Sequence, residues 1–144
     1  MKRFFLIFIA GIISVLFISG CVQMETDTQL TGRIFHSLCS GNQGVQGLID
    51  WEKFKATGVD VGQAYSNIIS EKERADYRKA FFYNFAYSFR ASGGKTSAFF
   101  NWRVKNREGN NTVVAADTKS GKVILFTLTL KNGQRKLTAI DWQQ

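Results

Sequence analysis

The chain has 144 residues, 44% of them apolar and 14% aromatic, with no proline and a formal net charge of +8. That composition suits one domain of ordinary size and excludes a disordered chain. Two cysteines and one histidine exclude a disulfide scaffold and leave too few ligands for a typical zinc site, so no metal and no cofactor is expected.

The N-terminus reads Met1-Lys2-Arg3, then fifteen residues that are apolar except for Gly11 and Ser14, then Ser19-Gly20-Cys21. Two cations, a short apolar run and small residues are the layout of a secretory signal peptide. The run is short of the ~20 apolar residues that a permanent membrane span needs. The stretch Ile18-Ser19-Gly20-Cys21 resembles the lipobox of bacterial lipoproteins. That resemblance implies cleavage before Cys21 and a diacylglycerol on its sulfur, and two or three acyl chains anchor a protein stably. Val22 stands where an Asp would imply inner-membrane retention in that family, so the expected place is the outer membrane, facing the periplasm. The expected organisation is a signal peptide over 1–20, a lipidated tether over 21–27 and a single domain over 28–144.

Charge is unevenly spread. Residues 21–85 hold seven cations and eight anions, while residues 86–144 hold ten cations and three anions. Outside the cell membrane nucleic acid is not the expected partner. Anionic headgroups or an acidic envelope protein suit a basic half better, and a merely solvated face is the plain alternative.

A first helix is predicted over 29–40, capped by Asp27 or Thr28, with Leu30, Ile34 and Leu38 on one face and Phe35 and Cys39 widening it. Cys39 therefore reads as a buried thiol. Residues 41–47 form a glycine-rich loop that lacks the context of a phosphate cradle. Asp50 is placed to cap a short helix over 51–56, which Gly58 would break. Asp60 and Gln63 have capping-box spacing and open a helical stretch to residue 69. Ser70-Glu71-Lys72-Glu73 is a stronger box and opens the longest helix, 71–91, which Gly93-Gly94 ends.

Seven of the thirteen residues from Tyr77 to Phe89 are aromatic. Tyr77, Phe81, Phe82, Phe85 and Phe89 fall on one face, with Tyr83 and Tyr87 on the other. The face reads as a core stripe or as the wall of a cavity.

From residue 96 the period becomes two. Ala98, Phe100, Trp102 and Val104 make the inward side of a first strand, and further strands follow over 112–118, 123–130 and 135–142. Asn132-Gly133 predicts a tight hairpin. That turn sets Leu128 opposite Leu137 and Phe126 opposite Ala139. One face then collects Ile124, Phe126, Leu128, Leu130, Leu137 and Ala139. Val123, Leu125, Ile140 and Trp142 fall at one end of the other face.

Chemistry is signalled mainly by absence. His36 is the lone imidazole, Glu71 and Glu73 belong to a helix start, and Asp50 and Asp60 read as caps. No nucleophile elbow, zinc-protease motif or calcium loop occurs, so an enzyme is not expected.

Helices followed by strands predict an α+β fold, with the N-terminal helices on one face of a curved four-stranded antiparallel meander. This arrangement looks like the NTF2-like and cystatin-like proteins, which often enclose an apolar pocket between helix and sheet. The runs Ile49-Asp50-Trp51-Glu52-Lys53-Phe54, Gly62-Gln63-Ala64-Tyr65 and 71–85, with Lys136-Leu137-Thr138-Ala139-Ile140-Asp141-Trp142, also resemble the MlaC family of periplasmic phospholipid-binding proteins. That resemblance implies an acyl-chain pocket, for which Phe81, Phe85, Phe89, Trp102, Phe126 and Leu128 are the candidates. Two readings stay open: a non-catalytic module binding an apolar or lipid ligand, and an interaction lipoprotein docking an envelope complex through its basic β half.

Overall fold

The computed structural model describes residues 24–144, so the expected signal peptide and Cys21 lie outside the described residues. Helix α1 (Asp27–Ser40) is capped by Thr26 rather than by Asp27 or Thr28. The Thr26 hydroxyl accepts from the Gln29 N–H at 3.3 Å, and the Gln29 side chain accepts from the Thr26 N–H at 2.9 Å. The reciprocal pair satisfies two open backbone donors and moves Asp27 into the first turn. At the other end Gly41, with φ 77°, lets its own N–H and that of Asn42 reach the carbonyls of Leu38 and Ser37.

A 3-10 turn (Gln43–Leu48) leads to Trp51, whose indole N–H donates to the Gln46 carbonyl at 2.9 Å. The helix expected over 51–56 does not form. The chain makes a single turn at Trp51 and then a two-residue strand β1 (Lys55–Ala56), turning back through Thr57 and Gly58 into β2 (Val59–Asp60). Asp50 does not cap a helix; its buried carboxylate pairs with Lys131 at 3.1 Å. Asp60 does cap α2 (Val61–Ser66), accepting from the Gln63 N–H. Ser70 caps α3 (Glu71–Ala91), the longest element.

The remaining strands are β3 (Phe99–Glu108), β4 (Asn111–Thr118), β5 (Val123–Lys131) and β6 (Gln134–Trp142). The fold is α+β, but the sheet has six strands in the order β2-β1-β6-β5-β4-β3, not four. It is also mixed, because β1 runs parallel to β6, with Lys55 beside Ala139 and Ala56 beside Ile140. A two-residue strand has no alternation for a sequence to display, which is why the extra hairpin was not expected.

Bulges correct the predicted faces. Thr127 pairs with Ala139 but Leu128 pairs with Leu137, so Thr138 is an extra residue and Phe126 lies opposite Ile140, not Ala139. Leu137 and Ile140 thus both enter the core, Ala139 turns to the other face, and Leu130 is exposed. The Thr138 hydroxyl is held by Thr129 and Thr127 across the bulge. In β3 a second bulge, with Asn101 at φ 52°, puts Phe99 inside beside Trp102 and leaves Phe100 exposed. A further register shift separates Val104 from Asn106. The Asn132-Gly133 hairpin forms as predicted, with both residues at positive φ.

The helix that lies against the middle of the sheet is α1. The Phe35 ring sits 5.3 Å from Phe126 and 4.7 Å from Phe99. Helix α3 packs on α1 and on the 3-10 turn instead of crossing the sheet. Asp27, now inside the first turn of α1, is buried and binds Arg107 of β3 at 2.8 Å and Arg135 of β6 at 2.9 Å. These bonds pin the start of α1 to two strands that are not neighbours.

Gly62 is needed for contact rather than for φ. A Cβ on Gly62 would lie 2.3 Å from the Glu52 carbonyl oxygen, so α2 can approach the Trp51 turn only without a side chain there. Gly62→Ala should lower the unfolding free energy by about 2 kcal/mol. Gly32→Ala, on α1 with nothing within 4 Å, should raise it by about 0.5 kcal/mol. Urea unfolding of both variants checks the pair.

Candidate functional site

A large hollow among the described residues follows from how α3 is built. Ser70 and the acidic first turn start the helix, and the sequence then repeats an aromatic every fourth residue, so Tyr77, Phe81, Phe85 and Phe89 share one line along it. The neighbouring line, Phe82 and Ala86, is buried, and Ala86 meets the Gly41 turn of α1. That contact rolls the Tyr77 to Phe89 line partly out of the core. It forms one wall of an open groove of about 630 Å³.

The opposite wall is the β1–β2 hairpin and the start of α2: Ala56, Thr57, Val59 and Val61. The floor at one end is Phe81, its ring 5.5 Å from both Trp51 and Phe54. At the other end Phe89 rests against Phe35 and Phe99 at 6.0 and 6.2 Å. Phe85 lies midway, with the Phe81 ring at 6.1 Å. Asn84, Ser88 and Ser92 supply a polar rim.

The spacing of the two walls is held from the Tyr77 end. Arg78 of α3 donates to Glu71 at 2.9 Å, to the Gln46 side chain at 3.2 Å and to the Tyr65 hydroxyl of α2. Arg74 lies over the Tyr65 ring at 5.3 Å from its centroid. A guanidinium stacks and donates at once, so these two arginines lock α2 to α3.

The groove lining holds no carboxylate, amine or imidazole. Its one titratable group is Tyr77, whose phenol burial pushes above the usual value, so it stays neutral at physiological pH. Such a wall offers apolar contact and a few hydrogen bonds at its rim.

Of the residues singled out in the sequence, Phe81, Phe85 and Phe89 line this groove. Trp102, Phe126 and Leu128 do not. Trp102 stacks on Phe126 at 5.4 Å, and Phe126 and Leu128 are buried between α1 and the sheet. The hairpin wall was missed. Its signal is Ala-Thr-Gly-Val at 56–59, β-branched residues around a glycine, which the flanking capping aspartates outweigh in a helix reading. Tyr83 and Tyr87 are exposed on the far side of α3 and stack on each other with centroids 6.4 Å apart.

The basic β half is partly neutralised from within. Arg107 and Arg135 pair with Asp27, Lys131 with Asp50, and Arg103 with Asp117. Hydrogen bonds from Asn101 and Arg103 hold the Asp117 carboxyl below its usual range. Among the described residues no group of three or more His, Cys, Asp or Glu could hold a metal ion, and no helix is long and apolar enough to cross a membrane. No family model, curated protein or solved structure matches the chain.

Cys39 is buried on α1, and desolvation pushes its thiol up to about 12. At pH 8 only about one such thiol in 10,000 is ionised, and the thiolate is the reactive form. A disulfide exchange reagent at pH 8 should therefore modify Cys39 at least a hundredfold more slowly in the native protein than in denaturant.

Proposed function

We propose that this protein is a non-catalytic lipoprotein of the bacterial cell envelope, anchored through acylated Cys21 and binding an apolar ligand along α3. The observation that carries the reading is the groove itself: about 630 Å³, walled by Phe81, Phe85 and Phe89 on one side and by Ala56, Val59 and Val61 on the other. Small-molecule sites fall in the range of about 300 to 1,000 Å³ and are mostly apolar with a few polar groups. Three half-covered phenylalanines along one concave face suit an interaction site.

The likeness of the helix and sheet order to NTF2-like and cystatin-like proteins, and of several runs to the MlaC family, supports a lipid-like ligand. The lipobox resemblance supports the anchor, and Val22 after it supports the outer membrane as the location. Docking of an envelope complex through the basic half is the weaker alternative, because four of the ten cations in 86–144 already bind carboxylates within the chain.

Native mass spectrometry of the chain from residue 22, purified without detergent from bacterial cells, should show extra mass matching a fatty acid or phospholipid. Val59 is 61% exposed at the groove mouth, so Val59→Asp should leave thermal stability within about 2 °C of the parent and remove that mass at least tenfold. An unliganded mass that also fails to take up an added fatty acid would overturn the groove reading. Separately, Cys21→Ser should shift the protein expressed with its leader from the membrane fraction to the soluble one.

A further inference from the structure

Phe89 lines the groove and also a second hollow of about 420 Å³. That hollow lies where the last turns of α1 and α3 meet the link to β3. Its polar groups are His36 and Ser40 from α1, Arg90 from α3, and Lys95, Thr96 and Ser97 from the link.

No carboxylate lines it. Among the described residues neither Arg90 nor Lys95 makes an ion pair, unlike Arg103, Arg107, Lys131 and Arg135. Two helix ends point here, and each brings a partial charge of roughly −0.5. Both ends are capped by backbone N–H groups, at Gly41 and Asn42 for α1 and at Ser92, Gly93 and Gly94 for α3. The full charges of Arg90 and Lys95 outweigh what remains. Like charges held without a counter-ion in a concave site attract anions, and a guanidinium fork matches an oxyanion in two bonds.

The local backbone places this charge against the end of the groove. A Cβ on Gly94 would meet the Phe89 ring and carbonyl at 2.6 Å, so only glycine lets the chain turn this tightly over the ring. The Gly94 N–H also donates to the Phe89 carbonyl at 2.8 Å. Lys95 lines the second hollow and not the groove, whereas Phe85 lines the groove and not the second hollow.

We propose that the second hollow holds the oxyanion head of an amphiphile whose hydrocarbon chain lies in the groove, with Phe89 at the boundary between head and tail. The inference rests on the groove reading above and adds the class of its ligand.

Calorimetric titration of the mature chain with dodecyl phosphate, dodecanol and inorganic phosphate tests it. Dodecyl phosphate should bind at least tenfold more tightly than dodecanol. The double variant Arg90→Gln, Lys95→Gln alters exposed side chains and should remove that preference while leaving dodecanol affinity unchanged. Lys119→Gln, Lys122→Gln removes the same charge elsewhere and should change neither. Equal affinity for the two alkyl probes, or no effect of the double variant, would overturn the head site and leave the groove standing. Inorganic phosphate binding as tightly as dodecyl phosphate, in a manner indifferent to Val59→Asp, would mark a free-phosphate site and overturn the inference too. Failure of both alkyl probes to bind would instead remove the groove reading and the inference with it.

Discussion

Phe35 touches both layers of the molecule. Its ring meets Phe126, Phe99 and Trp102 on the sheet and Phe89 on α3. Aromatic pairs at these distances and tilts add to the burial of large apolar area, and fully burying one such side chain is worth about 1.5 to 3 kcal/mol. Because this contact seats α1 on the sheet, α3 has no room there and must pack on α1. Displacement of α3 leaves its aromatic line short of partners. The β1–β2 hairpin approaches that line without covering it, so the groove is what remains when one helix takes the place another was patterned to fill.

Electrostatics support the same arrangement. Asp27 and Asp50 come from the acidic first half of the chain and are buried under cations from the basic second half. A buried pair is weak evidence of net stability, but removing one member strands a charge, so such pairs oppose other dockings of helix on sheet. The uneven charge along the sequence is thus partly an internal matter, and what stays unpaired is concentrated in fewer places than composition suggests.

Elements with long, local signals were legible. Ser70 and Gly93 mark the ends of α3 to within a residue, and Asn132-Gly133 gives a hairpin with both residues at positive φ. Periodicity tells which face of α3 is apolar, not what it meets, so Phe81, Phe85 and Phe89 could be named as a wall while the far wall could not. Trp102, Phe126 and Leu128 share the sheet face that Phe35 covers, and nothing local distinguishes a face covered by α1 from one covered by α3. The bulges at Asn101 and Thr138 each shift alternation by one residue, which moves Phe99 and Ile140 inward against the pattern. Strands of two residues, held by pairing with a distant partner, leave no local trace.

The bulged strand β3 has a consequence at the border of the sheet. It is ten residues long and outermost, so one row of its backbone groups has no neighbouring strand. Two register breaks, the left-handed Asn101 and the cations Arg103, Lys105 and Arg107 interrupt that row, and the opposite border is only the two residues of β2. Neither border offers a long flat template for a second chain. Molecules at high local concentration meet one another often, and this sheet resists joining strand to strand into a polymer when they do.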